Sequence, residues 1–187
     1  MNWWQEFVEY VLLRTADEVK KMASYLLQKI KDNGGSLGTE LFNAIAGLTV
    51  GIALDCVILR KNPQTQKLEI YLTQRGPDEA YANQWHCPGT FMRPGENEKM
   101  ALDRLGKNEL QAVVHSFLFC DETFLPEERF KTFLDRVYLL NPEEEPANPN
   151  GQWVELLKLH DLNVIKHHME FVIPAACQKA REINLFH

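Results

Sequence analysis

The chain has 187 residues, 45% of them apolar and 25% charged, with a formal net charge of −6. That length accommodates one domain with a full core, or one domain plus a helical extension. The composition argues against wholesale disorder, and the acidic balance argues against the basic footprint of a nucleic-acid binder. Cys56, Cys87, Cys120 and Cys177 are widely spaced and form no CxxC pair, so buried, reduced thiols are expected rather than a zinc or redox pair. No apolar run approaches the roughly 20 residues that span a bilayer. Met1 to Glu6 lacks the basic-then-apolar order of a secretory signal. A cytoplasmic protein with no membrane partner is the expectation.

Asn2 with Gln5, and Thr15 with Glu18, have the spacing of capping boxes opening two helices. Phe7, Val8, Val11 and Leu12, then Val19, Met22, Ala23, Leu26, Leu27 and Ile30, recur at helical spacing. Asn33-Gly34-Gly35 reads as a helix stop, and Thr39 to Ala46 as a further short helix. Residues 1–47 therefore form an expected N-terminal helical extension, with residues 48–187 as the main domain. Trp3 and Trp4 are expected to cover the extension's own core, with a membrane-surface or dimer contact as the alternative.

The pattern then changes. Val50 to Ile58 reads as a long, mostly buried strand, and Leu68 to Thr73 as the second strand of a hairpin turned at Asn62-Pro63. A polar loop from Arg75 to Gln84 leads to a short strand at Trp85-His86-Cys87, with Pro88-Gly89 as its turn. Asn97 to Glu109 is helical in pattern. Val113 to Cys120 and Phe130 to Leu140 read as strands, and 141–151 as an acidic loop rich in Pro and Asn. A last strand is expected from Gln152 to Leu157, and a closing helix from Asp161 to Ile183. Strands on both sides of a central helix point to an α/β sandwich.

The informative stretch runs from Pro88 to Gln111. A glycine-bearing loop lets the backbone approach a ligand closely. Helix positions 105, 108 and 109 are spaced to share one face, so carboxylates there would bind Mg²⁺ or Mn²⁺ and, through it, a diphosphate. Gly106 within the helix costs about 1 kcal/mol relative to Ala and marks a place for a local irregularity.

This stretch resembles the Nudix hydrolases, whose box reads G, five residues, E, seven residues, then R-E-U-x-E-E-x-G-U with U apolar. Glu96 and Arg104 fall in register, and Glu109 falls on the second Glu of the pair. Leu72 to Arg75, and Ala82 to Trp85 before Pro88-Gly89, approach the box as such chains do. The likeness covers roughly residues 49 to 160. It implies a Nudix-type α/β/α sandwich with a mixed sheet. It also implies hydrolysis of a nucleoside diphosphate linked to another moiety, with Mg²⁺ or Mn²⁺ as cofactor.

Four positions depart from the box. Thr90 stands at its opening Gly, Leu105 and Asn108 replace two helix glutamates, and Gln111 replaces the late Gly. Arg104 to Leu110 is similar to the box of GDP-mannose mannosyl hydrolases, which keep a single helix glutamate. A catalytically silent module binding a nucleotide or a protein, with the extension as dimer or docking surface, is the alternative function.

On this resemblance Glu109 is the metal ligand and a catalytic residue, with Glu96 as a second candidate ligand. Arg104 pairs with Glu96 and holds the loop against the helix. Glu145, from the run Glu143-Glu144-Glu145, is the candidate loop carboxylate or base. Arg75, Arg93, Gly89 and Thr90 are candidate substrate contacts, the two arginines through phosphate oxygens. His86 flanks the box and is expected to pack on its strand, with a role as base as the alternative. His167 and His168, being adjacent, are expected on different faces of the closing helix and form no zinc motif.

Overall fold

The structure is a computed structural model and describes residues 3–33, 45, 49–125 and 133–186. The chain divides into two compact units, Met1–Ile45 and Ala46–His187. The first contains α1 (Trp3–Leu12) and α2 (Ala16–Asn33). Between them the Thr15 backbone N–H and hydroxyl donate to Glu18 Oε2 at 2.9 and 3.0 Å, while the Glu18 N–H donates to Thr15 Oγ1 at 3.4 Å. This reciprocal pair satisfies N–H groups that a first helical turn leaves without intrahelical acceptors. The Gly34-Gly35 stop, the Asn2 cap and the side chains of Trp3 and Trp4 lie outside the described residues. So does the helix expected over Thr39 to Ala46, apart from Ile45.

The second unit is built on β1 (Gly51–Val57), β2 (Leu59–Lys61), β3 (Leu68–Gln74), β4 (Trp85–His86), β5 (Gly89–Phe91), β6 (Val114–Leu125), β7 (Phe133–Pro142) and β8 (Gly151–Glu155). One sheet has the order β5-β1-β7-β6, with β1 and β7 parallel and the other pairs antiparallel. The other has the order β2-β3-β4, with β8 also paired to β3, and is antiparallel throughout. The β2–β3 hairpin closes where Asn62 Oδ1 accepts the N–H groups of Gln64 and Thr65, both at 2.9 Å. Such Asx turns are why Asn-Pro signals a turn.

Successive strand residues point to opposite faces, so each strand feeds two cores. Leu54, Cys56, Tyr71, Tyr138 and Leu140 pack with Ala101, Leu102 and Leu105 of α3 (Glu98–Leu105). Val57, Ile70, Leu72, Val137 and Leu139 pack with Ile173, Ala176 and Ala180 of α4 (Ile173–Glu182). Helices therefore cover both faces, and the architecture is an α/β/α sandwich with a mixed sheet. Among the described residues no helix is long and apolar enough to cross a membrane. The four cysteines are free thiols, Cys56 and Cys87 buried.

Two helices differ from the expectation. The regular part of the central helix stops at Leu105, and a five-residue π-helical turn, Gly106–Leu110, replaces its last α-turn. The returning chain crosses directly over Gly106: a Cβ there would lie 2.7 Å from Ala112 O and 2.8 Å from Val114 Cγ2. The wider turn shifts the register, so Leu105 and Leu110 share the core while Asn108 is exposed and Glu109 half-buried. Positions 105, 108 and 109 do not share one face. The closing helix begins not at Asp161 but at Lys166. Trp85 N–H donates to Asn163 O and Ile165 N–H to Trp85 O, both at 2.9 Å, so this stretch is spent as an extended partner of β4. A second π-helical turn, His168–Val172, precedes Pro174, whose ring cannot sit under an ordinary α-turn carbonyl.

Candidate functional site

Arg93-Pro94-Gly95-Glu96 forms a tight turn, with the Glu96 N–H donating to Arg93 O at 3.0 Å and Gly95 at φ +84°. Pro at the second position and Gly at the third are what a type II turn requires. The chain then enters α3 through Asn97, whose side chain accepts the Met100 N–H at 2.9 Å. One turn and the helix are tied together by Arg104. Its Nε and Nη2 donate to Glu96 Oε1 and Oε2, both at 2.7 Å, while Nη1 reaches Thr90 Oγ1 at 2.8 Å and Nη2 reaches Phe91 O at 2.9 Å. The Arg93 N–H donates to Glu96 Oε2 at 2.8 Å. The Arg104 fork, with that backbone donor, holds the Glu96 carboxyl down at about 2. Both oxygens of Glu96 are thus occupied, which makes it a clamp on the loop rather than an open ligand. Thr90, a departure from the box, is one of the atoms the clamp grips.

Glu109 lies on the π-helical turn. Burial pushes its carboxyl up, the Glu79 charge pushes the same way, and Arg75 and Arg104 pull it down. Glu79 was not among the residues the sequence singled out. It comes in from the Arg75–Gln84 loop, where Arg75 Nη1 donates to Glu79 Oε2 at 3.3 Å. Arg75 Nε is buried and without a hydrogen-bond partner. The far end of the turn is fixed by the acidic loop: Asn148 Nδ2 donates to Glu109 O at 2.6 Å, and the Ala147 N–H to Leu110 O at 2.8 Å. Gln111, at the box's late glycine, adopts φ +54° and ends the turn.

Arg104 therefore joins Thr90 and Glu96 directly and feels Glu109, while Arg75 and Glu79 approach Glu109 from another loop. Arg93 is exposed on the turn. Glu145 is held elsewhere, accepting from Arg60 Nη1 and Trp153 Nε1, both at 2.8 Å. Arg60 also lies 3.9 Å over the Trp153 ring. Glu98 pairs with Arg136 of β7, beside a cleft of about 440 Å³ at the N-terminal end of α3, away from Glu109.

A second polar cluster lies on the opposite face of the first sheet. Gly89 makes room for it, since a Cβ there would overlap Asp55 Oδ1. Asp55 and Asp135 come from the adjacent parallel strands β1 and β7. His167 Nε2 lies 2.6 Å from Asp135 Oδ2, and His168 Nε2 lies 3.6 Å from Asp55 Oδ2. Burial, and then the Asp135 charge, push the Asp55 carboxyl well above the usual carboxylate range. His86, fully bonded to Thr73 Oγ1 and Cys87 O, is pushed down to about 4, chiefly by burial. His86 is thus the packed strand histidine its sequence context suggests. His167 and His168 point to different sides, yet both reach the carboxyl pair, because two side chains span its width.

No protein-family model and no curated protein matches the sequence. Solved structures do match. A mutT/nudix family protein from Listeria innocua aligns at 17% identity and TM-score 0.58, over 73% of this chain and 99% of that one. A MutT from work on Aliivibrio salmonicida and Vibrio cholerae aligns at 17% and 0.56, over 70% and 99%. The Nudix domain of Shewanella oneidensis NrtR, solved with ADP ribose, aligns at 16% and 0.56, over 73% and 89%. The chain has the Nudix fold.

Proposed function

We propose that the chain is a metal-dependent hydrolase of a nucleoside diphosphate linked to a further moiety. The observation that carries this is Glu109: a half-buried carboxylate within reach of the charges of Arg75 and Arg104, the second of which holds the neighbouring loop. The donor set fits a divalent cation, because the pressure of Glu79 on Glu109 is relieved by positive charge between them. Mg²⁺ or Mn²⁺ bound there would neutralise a diphosphate and polarise a phosphoryl oxygen. Glu109 holds the cation and Glu79 assists it. Arg104 and Glu96 act by fixing the loop. Arg75 and Arg93 meet phosphate oxygens, and the backbone at Gly89 and Thr90 borders the ligand. Glu145 serves as base only after giving up Arg60 and Trp153. The working location is the cytoplasm, and a homodimer is the assembly that goes with this reading.

The test is a screen with Mn²⁺ of ADP-ribose, nucleotide sugars, dinucleoside polyphosphates and nucleoside triphosphates. One class should be turned over, EDTA should abolish turnover, and Glu109→Gln should lower it by about a hundredfold or more. Leu105 and Asn108 favour a second reading. Leu105 is fully buried and Asn108 exposed, so the helix offers one carboxylate. A binding module of that kind would be thermally stabilised by one of these ligands without releasing product.

A further inference from the structure

We propose that Asp55, Asp135 and His167 form a second, buried divalent-cation site that takes a first-row transition metal of the Zn²⁺ type, on the sheet face opposite α3. It does not depend on the function assigned to Glu109. The three side chains each offer one ligand atom, and these atoms all lie within 4.8 Å of one another. Ligands at about 2.0–2.2 Å from a tetrahedral ion sit about 3.3 Å apart, so small side-chain movements suffice.

Asp135 supplies the observation that points to a ligand. Its side chain has no solvent exposure, and its Oδ1 has no hydrogen-bond partner. Its neighbour is another carboxyl, Asp55, and the two side chains can bond to each other only through a proton held between them. A buried acceptor left this way costs free energy unless a proton or a cation sits against it. Arg75 is the guanidinium whose charge reaches Asp55, and it also faces Glu79.

The histidines have separable roles. His168 Nδ1 accepts the Cys87 N–H at 3.1 Å, so the neutral ring carries its proton on Nε2, aimed at Asp55. His168 therefore orients a ligand and is not one. His167 stacks on Phe171 with ring centroids 5.5 Å apart, which directs its Nε2 toward Asp135. Asp55 and His167 keep 15% and 22% of their side-chain exposure, leaving a way in. One imidazole nitrogen with two carboxylate oxygens favours Zn²⁺, Co²⁺ or Mn²⁺ over Mg²⁺, and three protein ligands leave a position for water.

The test uses the full chain, stripped with EDTA and titrated with Co²⁺ and Zn²⁺. One equivalent of Co²⁺ should produce visible d–d absorption, displaced by Zn²⁺. Zn²⁺ at a hundredfold excess over its dissociation constant should raise the melting temperature by about 5–10 °C. Glu109→Gln should keep both signals, whereas Asp135→Asn and His167→Gln should each lose them by tenfold or more in affinity. His167→Gln changes a partly exposed side chain at the rim of the site, so it reports even if Asp135→Asn fails to fold. Absence of both signals in the parent chain, or their persistence in His167→Gln, overturns the site and leaves a proton shared between the two carboxyls.

Discussion

Glu96 and Asp55 are carboxylates of the same domain, yet they are driven in opposite directions. Glu96 meets a guanidinium fork and a backbone N–H and is held at about 2. Asp55 meets burial and a second carboxyl and is pushed well up. The residue type is nearly the same. What differs is whether donors or acceptors converge on it. The first arrangement fixes a loop, and the second leaves an oxygen in want of a partner.

The largest effect expected on the donor-rich side is from Arg104→Ala. It strands Glu96 and frees Thr90 and Phe91, and should cost roughly 3 kcal/mol in urea unfolding. A loss under 1 kcal/mol would mean the fork is ornamental. Gly106→Ala comes next, at about 2 kcal/mol, because the new methyl meets Ala112 O and Val114; an unchanged urea midpoint would show that the crossing chain can give way.

Acid sharpens the contrast further. His86 is neutral in the fold, with its proton affinity lowered from 6.5 to about 4. The unfolded chain therefore binds the extra proton first, and stability present above pH 6.5 falls as pH drops toward 4, by up to about 1.4 kcal/mol per unit. Glu96 adds a second loss as pH falls from 4.5 toward 2. Urea midpoints that stay level between pH 6.5 and 4 would contradict the buried, neutral His86. The smallest change is a gain: Gln111→Gly removes the penalty of a side chain at φ +54° and should stabilise by about 0.5–1 kcal/mol, seen as a higher melting temperature.

Much of the frame was legible because its signals are local. Thr15 and Glu18 announce their own reciprocal bonds, Asn62-Pro63 its own turn, and strand alternation the two cores. Gly106 marked where the helix would deviate, but not how. Its deviation depends on Ala112 and Val114 crossing above it, which no spacing within the helix reveals. The start of the closing helix was misplaced because β4 recruits Asn163 and Ile165, a pairing between distant segments. Asp55, Asp135 and His167 were invisible for the same reason. Each is unexceptional in its own stretch, and only the parallel pairing of β1 with β7 beneath the closing helix brings them together. Glu79 had no motif at all; its approach to Glu109 is a property of the Arg75 loop.

The amide of Asn148 carries a mechanical consequence. By gripping the main-chain oxygen of Glu109, it couples the acidic 141–151 segment to the tip of the box helix. Lengthening or trimming that segment would displace residue 109 without altering any side chain around it. A ligand that draws the segment inward would re-aim the carboxylate through the same bond.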